Sequence, residues 1–265
     1  MQKIVFNAHY LMYIDTAMMD YWRALALPYE ASMVALGGDI YVKKATLEYH
    51  ASAQLEDLLD IGLRCARVGN SSLLLQAGIF RGEQLLVSGE LLYVFADPAT
   101  QTSRPVPEAL RAIFAAYEAG DAMAHAHCGA WDALGPDAAR VRHAVFIQEQ
   151  GIPADIEVDE LDATAVHVVL RNRLGMPVAT GRLLQHAPGE GRIGRMAVER
   201  ALRGGGWGRQ VLRALEDAAR ARGDQHVLLH AQVQARAFYE RAGYHVHGEP
   251  WMEAGIPHIT MQRAL

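Results

Sequence analysis

The stretch MAVERALRGGGWGRQVL, residues 196–212, decides how this chain is read. An apolar segment runs into RGGGWG, and an amphipathic pattern of about sixteen residues, GWGRQVLRALEDAARA at 206–221, begins at once. That join predicts a strand, a tight glycine turn and a helix. Glycines let successive backbone N–H groups close on a ligand without interference from Cβ. A helix start adds unpaired N–H donors and the positive end of the helix dipole. Gly204, Gly205, Gly206, Trp207 and Gly208 therefore predict a pyrophosphate cradle, to which Arg203 and Arg209 would add charge-assisted contacts. The loop is not a Walker A loop, because GK[ST] is missing, and it lacks the βαβ context of a dinucleotide fingerprint.

Around this loop the second half reads as an alternating α/β unit. VRHAVFIQEQ at 141–150 is helical in pattern, and strands are expected at 163–172, 177–186 and 191–199. After the 206–221 helix come a covered strand, HVLLHAQ at 226–232, and a helix at 235–243. HITMQRA at 258–264 closes the sheet. The R-x-x-G-x-G of Arg203, Gly206 and Gly208 resembles the motif of GNAT-type N-acetyltransferases. Within that superfamily VFIQEQGIP, ATGRLL, IGRMAV, HAQVQARAFYERAGY and GIPHITM are most similar to the ElaA-like branch. The resemblance covers about 141–263. It implies acetyl-CoA as acyl donor, with Met196, Ala197 and Val198 pairing with the pantetheine arm and the glycine loop taking the pyrophosphate. It implies Tyr239 as the acid that protonates the departing thiolate, and an amine as acceptor. Gln232, at the end of the central strand, would bond to the pantetheine or to the adjoining chain. Glu149 and His258 lie in segments that match the family and are the candidates for meeting the amine. The acids Glu157, Asp159, Glu160 and Asp162 either attract a cationic amine or form a solvated loop face.

The first half has a different pattern. Leu11, Ile14, Met18, Trp22 and Leu25 recur at helical spacing, with Asn7 or His9 at the start and Pro28 at the far end. Four strands are expected at 39–50, 55–68, 71–80 and 83–96, joined by short turns at Gly69-Asn70 and Arg81-Gly82, and then a helix at 105–120. FNAHYLMYIDTAMMDYW and YVFADPATQTSRPVPEALRAIF resemble the 4-hydroxybenzoyl-CoA thioesterase family, in which an antiparallel sheet wraps a central helix. This hotdog fold implies acyl-CoA hydrolysis and association into a homo-oligomer. In that family a first strand precedes the helix and ends in the catalytic Asp. Met1 falls just after that point, so the expectation is a domain given without its first strand and usual acid. Either translation starts upstream, or the domain has lost that chemistry. Asp15, on the helix, is the carboxylate that would substitute, and its competing reading is a helix-surface acid.

The expected organisation is thus an α+β hotdog domain at 1–125, a linker or short helix at 126–138 rich in Ala and Gly, and an α/β GNAT acyl-CoA N-acyltransferase domain at 139–265. Composition agrees with two folded units: 265 residues, 51% hydrophobic and 21% charged. Two cysteines exclude a disulfide-stapled scaffold, and no cluster predicts a metal site. With no signal-peptide pattern and no long apolar run, a cytoplasmic protein with no membrane partner is expected. The formal net charge of −5 gives no support for nucleic-acid binding. Residues 122–265 carry 16 Arg, no Lys and 16 Asp or Glu. Three functions fit: a transferase fused to an active thioesterase, a transferase with an inert dimerising hotdog domain, and a non-catalytic CoA sensor.

Overall fold

In a computed structural model, which describes residues 3–253 and 255–265, the chain divides into two compact units, Met1–Met123 and Ala124–Leu265. The expectation that turned on Met1 lies outside the described residues.

In the first unit, helix α1 (Asn7–Ala24) buries Tyr10, Ile14, Met18, Tyr21 and Trp22. These recur every three or four residues and form one stripe. Pro28 does not simply end α1. It is the N-cap of a second helix, α2 (Tyr29–Leu36), which stops at Gly37. Strands β1 (Asp39–Tyr49), β2 (Asp60–Val68), β3 (Ser72–Arg81) and β4 (Gln84–Ala96) pair antiparallel in the order β1-β4-β3-β2. β2 begins five residues later than its hydrophobic pattern suggested. The Asp57 carboxylate accepts the Gln54 N–H and pairs with Arg81, which folds that stretch into a turn. On β3, Leu73, Leu75, Ala77 and Ile79 are buried in strict alternation, and α1 packs on β2 and β3. Helix α3 (Glu108–Glu118) ends at a carboxylate that accepts both the Tyr21 hydroxyl (2.9 Å) and the Cys65 N–H (2.7 Å). An antiparallel sheet holding one long helix is the hotdog arrangement.

The second unit starts where a linker was expected. β5 (Ala124–Gly129) pairs antiparallel with β6 (Val166–Asn172), and α4 (Trp131–Arg142) follows with Pro136 inside it. The helical alternative for this stretch is the one α4 shows, and its small side chains serve packing. Leu134 and Ala138 of α4 bury against Val169, with Trp131 alongside. The chain continues from α4 through a π-helical stretch, His143–Glu149, and a short helix α5 (Ala154–Glu157). Next come β7 (Pro177–Ala187), β8 (Glu190–Val198), α6 (Trp207–Arg222), β9 (His226–Gln232) and α7 (Arg236–Glu240). β10 (His245–Val246), β11 (Trp251–Glu253) and β12 (Ile256–Ala264) complete the unit. The sheet order is β10-β12-β9-β8-β7-β6-β5, with β11 on β12.

Helix α6 buries Trp207, Val211, Leu212, Leu215 and Ala219. Gly181 of β7 lets it approach, since a Cβ there would lie 2.8 Å from the Leu215 side chain and 2.9 Å from Val211. Glu216, on the same helix, is buried and accepts from the Tyr244 hydroxyl and from Arg263 of β12, tying helix to sheet. Among the described residues, no helix is long and apolar enough to cross a membrane, and no group of three or more His, Cys, Asp or Glu is placed to hold a metal ion.

Candidate active site

The sheet of the second unit divides at its centre. β8 and β9 run parallel and pair only from Glu190↔His226 to Ile193↔Leu229. Beyond that point β8 stays with β7, as far as Ala179↔Val198, while β9 stays with β12, where Gln232 faces His258. One extra residue is inserted into β8 opposite Thr180–Arg182, and Arg195 there takes a positive φ of 49°. Such a bulge bends its strand and re-aims a side chain. Arg195 accordingly donates to the carbonyls of Ile156 and Glu157. A cavity of about 550 Å³ opens in the fork, lined by Met196 on one side and Gln232, Tyr239 and His258 on the other.

The strand face turned to this cavity follows from the period of two. Arg182 and Leu184 of β7, Arg192 and Gly194 of β8, His230 and Gln232 of β9, and His258 of β12 all line it. Half-buried Tyr239 directs its hydroxyl to the Met196 sulfur at 3.7 Å, while the adjacent Phe238 packs by the start of α6, near Gly208 and Val198. The two neighbouring aromatics thus separate into one cavity residue and one packing residue. Burial pushes the Tyr239 phenol up to about 12, so it holds its proton at neutral pH. The His258 Nδ1–H donates to the Ile256 carbonyl (2.9 Å), which leaves Nε2 as the lone-pair nitrogen. Gln232 donates to Gln150 (3.0 Å) and accepts from Gln234 (2.9 Å), linking β9 to the end of the π-helical stretch.

At the glycine loop, Gly206 is the N-cap of α6 with φ 85°, a left-handed conformation that costs an L side chain about 1–2 kcal/mol. A Cβ at Gly206 would meet nothing within 4 Å, so the loop is open above its backbone. The amides of Gly206 and Gly208 point out of the first turn with no carbonyl earlier in the helix to receive them. The Trp207 side chain is buried, so at this position the loop presents backbone. Ala197 is also buried, and Val198 partly so, which leaves backbone as what they present to a ligand.

Glu149 does not line the cavity. Its carboxylate takes both Nη groups of Arg203 at 2.7 Å, and this hydrogen-bonded pair holds it below the usual carboxylate range. Arg203 also donates to the Val198 carbonyl (3.2 Å). The two residues expected to meet amine and phosphate therefore satisfy one another across 54 positions of sequence. Arg209 keeps an exposed guanidinium with one long bond to the Arg241 carbonyl. In the first unit, Asp15 is exposed on α1. Its charge adds to burial in raising the Tyr93 phenol to about 12. The cavity beside α1 is lined by Thr16, Asp20 and Asp60, not by Asp15.

Three of the four acids of the loop, Glu157, Asp159 and Asp162, are taken by arginines, while Glu160 is exposed. Arg142, 1% exposed, binds Glu157 and takes Asp162 in a two-pronged contact at 2.8 and 3.0 Å. Arg182 binds Asp159 and Asp162, and Arg195 reaches Asp159 at 3.2 Å. Burial alone would raise Asp162, but hydrogen bonds from Arg142 and Arg182 hold it at about 2. Arg142 also lies over the Trp131 ring at 5.4 Å. The network fastens residues 154–164 to the sheet and forms one wall of the cavity. Sequence reasoning missed Arg182, Arg192 and His230. The alternation of GRIGRM, which sets Arg192, Gly194 and Met196 two apart, was the available signal for Arg192.

Residues 136–265 match the family described as acetyltransferase (GNAT) domain, and residues 2–88 match the thioesterase superfamily. The uncharacterized N-acetyltransferase YjcF of Bacillus subtilis is 39% identical over 128 residues, which span 48% of this chain and 90% of that protein. A crystal structure from Lactobacillus plantarum, described as a candidate N-acetyltransferase, is 37% identical, with a TM-score of 0.52 over 54% of this chain and 99% of that one. Escherichia coli ElaA is 28% identical with a TM-score of 0.48, over 53% of this chain and 99% of its own. By its second unit the chain belongs to the GNAT acetyltransferase family, and it carries ahead of that unit a domain matching the thioesterase superfamily.

Proposed function

We propose that the second unit transfers an acetyl group from acetyl-CoA to the amine of a small acceptor. The observation that carries this is the fork, where a protonated, half-buried Tyr239 stands 3.7 Å from the sulfur of Met196 on the strand that loses its partner. The unpaired edge of β8 at 194–198 offers backbone groups to the pantetheine arm, and the amides of Gly206 and Gly208 offer donors to the pyrophosphate. Arg209, exposed and held only by one long bond to the Arg241 carbonyl, adds a cation to that cradle, since Arg203 is engaged with Glu149.

In the reaction the amine nitrogen attacks the thioester carbonyl carbon, forming the C–N bond. His258 Nε2, directly or through a water, accepts the proton that the nitrogen sheds. The C–S bond breaks as the carbonyl re-forms, and Tyr239 gives its proton to the leaving thiolate sulfur. The products are an amide and free CoA. The experiment is thiol release from acetyl-CoA with and without amines, for wild type and Tyr239→Phe. A Phe variant that still binds acetyl-CoA and turns over like wild type would favour a CoA sensor or another acid.

For the first unit we propose acyl-CoA recognition by a dimerising hotdog domain, with hydrolysis as its possible second activity. The observation in favour is β1, an eleven-residue edge strand exposed along most of its length, the kind of edge that pairs with another chain. Release of CoA from acyl-CoAs by a Tyr239→Phe protein with no amine present tests the hydrolytic part.

A further inference from the structure

Of the three arginines in the cavity wall, two are already engaged. Arg182 and Arg195 are held by Asp159, and Arg195 also by backbone carbonyls of the loop. Arg192 is different. It is half-buried on β8, its side chain lines the same cavity, and its guanidinium has no hydrogen-bond or ion-pair partner among the described residues. A guanidinium in a partly desolvated wall favours a planar oxyanion that it can grip with two N–H groups. The same cavity also carries the other sign. Glu253 of β11 lines the cavity and has no partner among the described residues. His230 lies within the field of both, its protonation disfavoured by burial and by Arg192 and favoured by Glu253. His258 stands beyond, next to Gln232 in register.

Together these place a cation and an anion in one small chamber after every other charge of its wall is neutralised by the loop network. Such a chamber is complementary to a molecule that carries both signs. It is poorly matched to a diamine or a simple alkylamine, either of which would leave Arg192 facing a like charge or nothing.

We propose that Arg192 holds an oxyanion of the acceptor, so that the acceptor is a small amine bearing a carboxylate or phosphate, of the amino-acid or phosphoamine class. This rests on the proposed transferase reading and names its acceptor class. Arg192 is a specificity residue: it binds the acceptor's acid group while the amine is directed toward His258 and the fork.

The test compares acceptors in pairs that differ only in the anion. Phenylalanine is set against phenylalaninamide and phenethylamine, 4-aminobutanoate against 4-aminobutanamide, and O-phosphoethanolamine against ethanolamine. The first two sets report the carboxylate, and the third reports the phosphate. The readout is the ratio of kcat/KM within each pair, with calorimetric acetyl-CoA binding as the control for an intact donor site. For wild type we expect at least one set in which the acid-bearing acceptor is favoured at least tenfold. In Arg192→Gln that ratio collapses toward one, chiefly through KM, and Arg192→Lys restores part of it. Acetyl-CoA that binds while the acid-free amines react as well as their acid-bearing partners overturns the inference alone. A ratio unchanged in Arg192→Gln does the same, as does a failure of every acceptor in the panel with acetyl-CoA bound. Absence of acetyl-CoA binding in wild type overturns the underlying transferase reading instead.

Discussion

Replacing Asp162 by Asn probes whether the buried charge network holds the cavity wall in place. The carboxylate is 2% exposed and accepts three guanidinium bonds, two from Arg142 and one from Arg182. Burial would raise its pKa, but those bonds draw it from an ordinary 3.8 to about 2. At about 1.4 kcal/mol per tenfold, keeping this group ionised contributes roughly 2 kcal/mol to the folded state at neutral pH. Asn preserves the shape but removes the charge, leaving the two buried guanidiniums with Glu157 and Asp159 as their only counter-ions in the network. Breaking a buried pair in this way costs about 3–5 kcal/mol. The assay is urea unfolding followed by tryptophan fluorescence, since Trp131, Trp207 and Trp251 all lie in the second unit. We expect the variant's transition for that unit to be less stable by about 3 kcal/mol at neutral pH. Because the folded pKa is below the unfolded one, the stabilisation is complete above about pH 4 and is lost as pH falls through about 2. The gap between the two proteins should therefore narrow between about pH 4 and pH 3. A gap below about 1 kcal/mol at neutral pH, or one that stays constant on acidification, refutes the reasoning.

Tyr239→Phe should lower kcat by roughly 10²–10⁴ while acetyl-CoA affinity is retained. With the phenol raised to about 12, wild type should show no alkaline loss of kcat from this group below about pH 10, as a pH–rate profile will record. Gly206→Val forces a β-branched residue into a left-handed N-cap and covers the loop, so calorimetry should find acetyl-CoA binding lost in a protein whose circular dichroism is unchanged. Glu149→Gln frees Arg203 rather than removing a base. Its kcat should stay within about threefold of wild type, whereas His258→Ala should fall by at least about a hundredfold. Light scattering at micromolar concentration should find at least a dimer, and a 29.1 kDa monomer would contradict pairing through the first unit.

Much of the architecture was written in local pattern. The 206–221 amphipathic run became Trp207–Arg222, and the alternation of SSLLLQAGIF became β3, because period and glycine punctuation are properties of neighbouring residues. The failures share a cause. Pro28 reads equally as a stop and as an N-cap, and only the stretch after it decides. AHAHCG looked like linker because nothing local announces that β6, nearly forty residues later, will pair with it. At the site, the glycine loop and Tyr239 were legible, since each belongs to a compact motif. The pairing of Glu149 with Arg203, and the neutralising of Asp159 and Asp162 by Arg182, join distant parts of the chain. Electrostatic roles of that kind depend on the fold and are invisible in composition.

The arginine network has a chemical consequence beyond stability. An enzyme that binds an activated thioester exposes its own amines to it, and a lysine in the cavity wall would be a competing nucleophile at high effective concentration. A guanidinium stays protonated and does not attack, yet it makes the same ion pairs with better geometry. With sixteen arginines and no lysine in residues 122–265, the transferase unit has no side-chain amine to label. Lys3, Lys43 and Lys44, all in the first unit, are the chain's only lysines. Incubation with acetyl-CoA alone, followed by mass spectrometry of the peptides, should leave the second unit without N-acetylated side chains. Its resistance to self-acylation is thus set by the same choice of cation that builds its core.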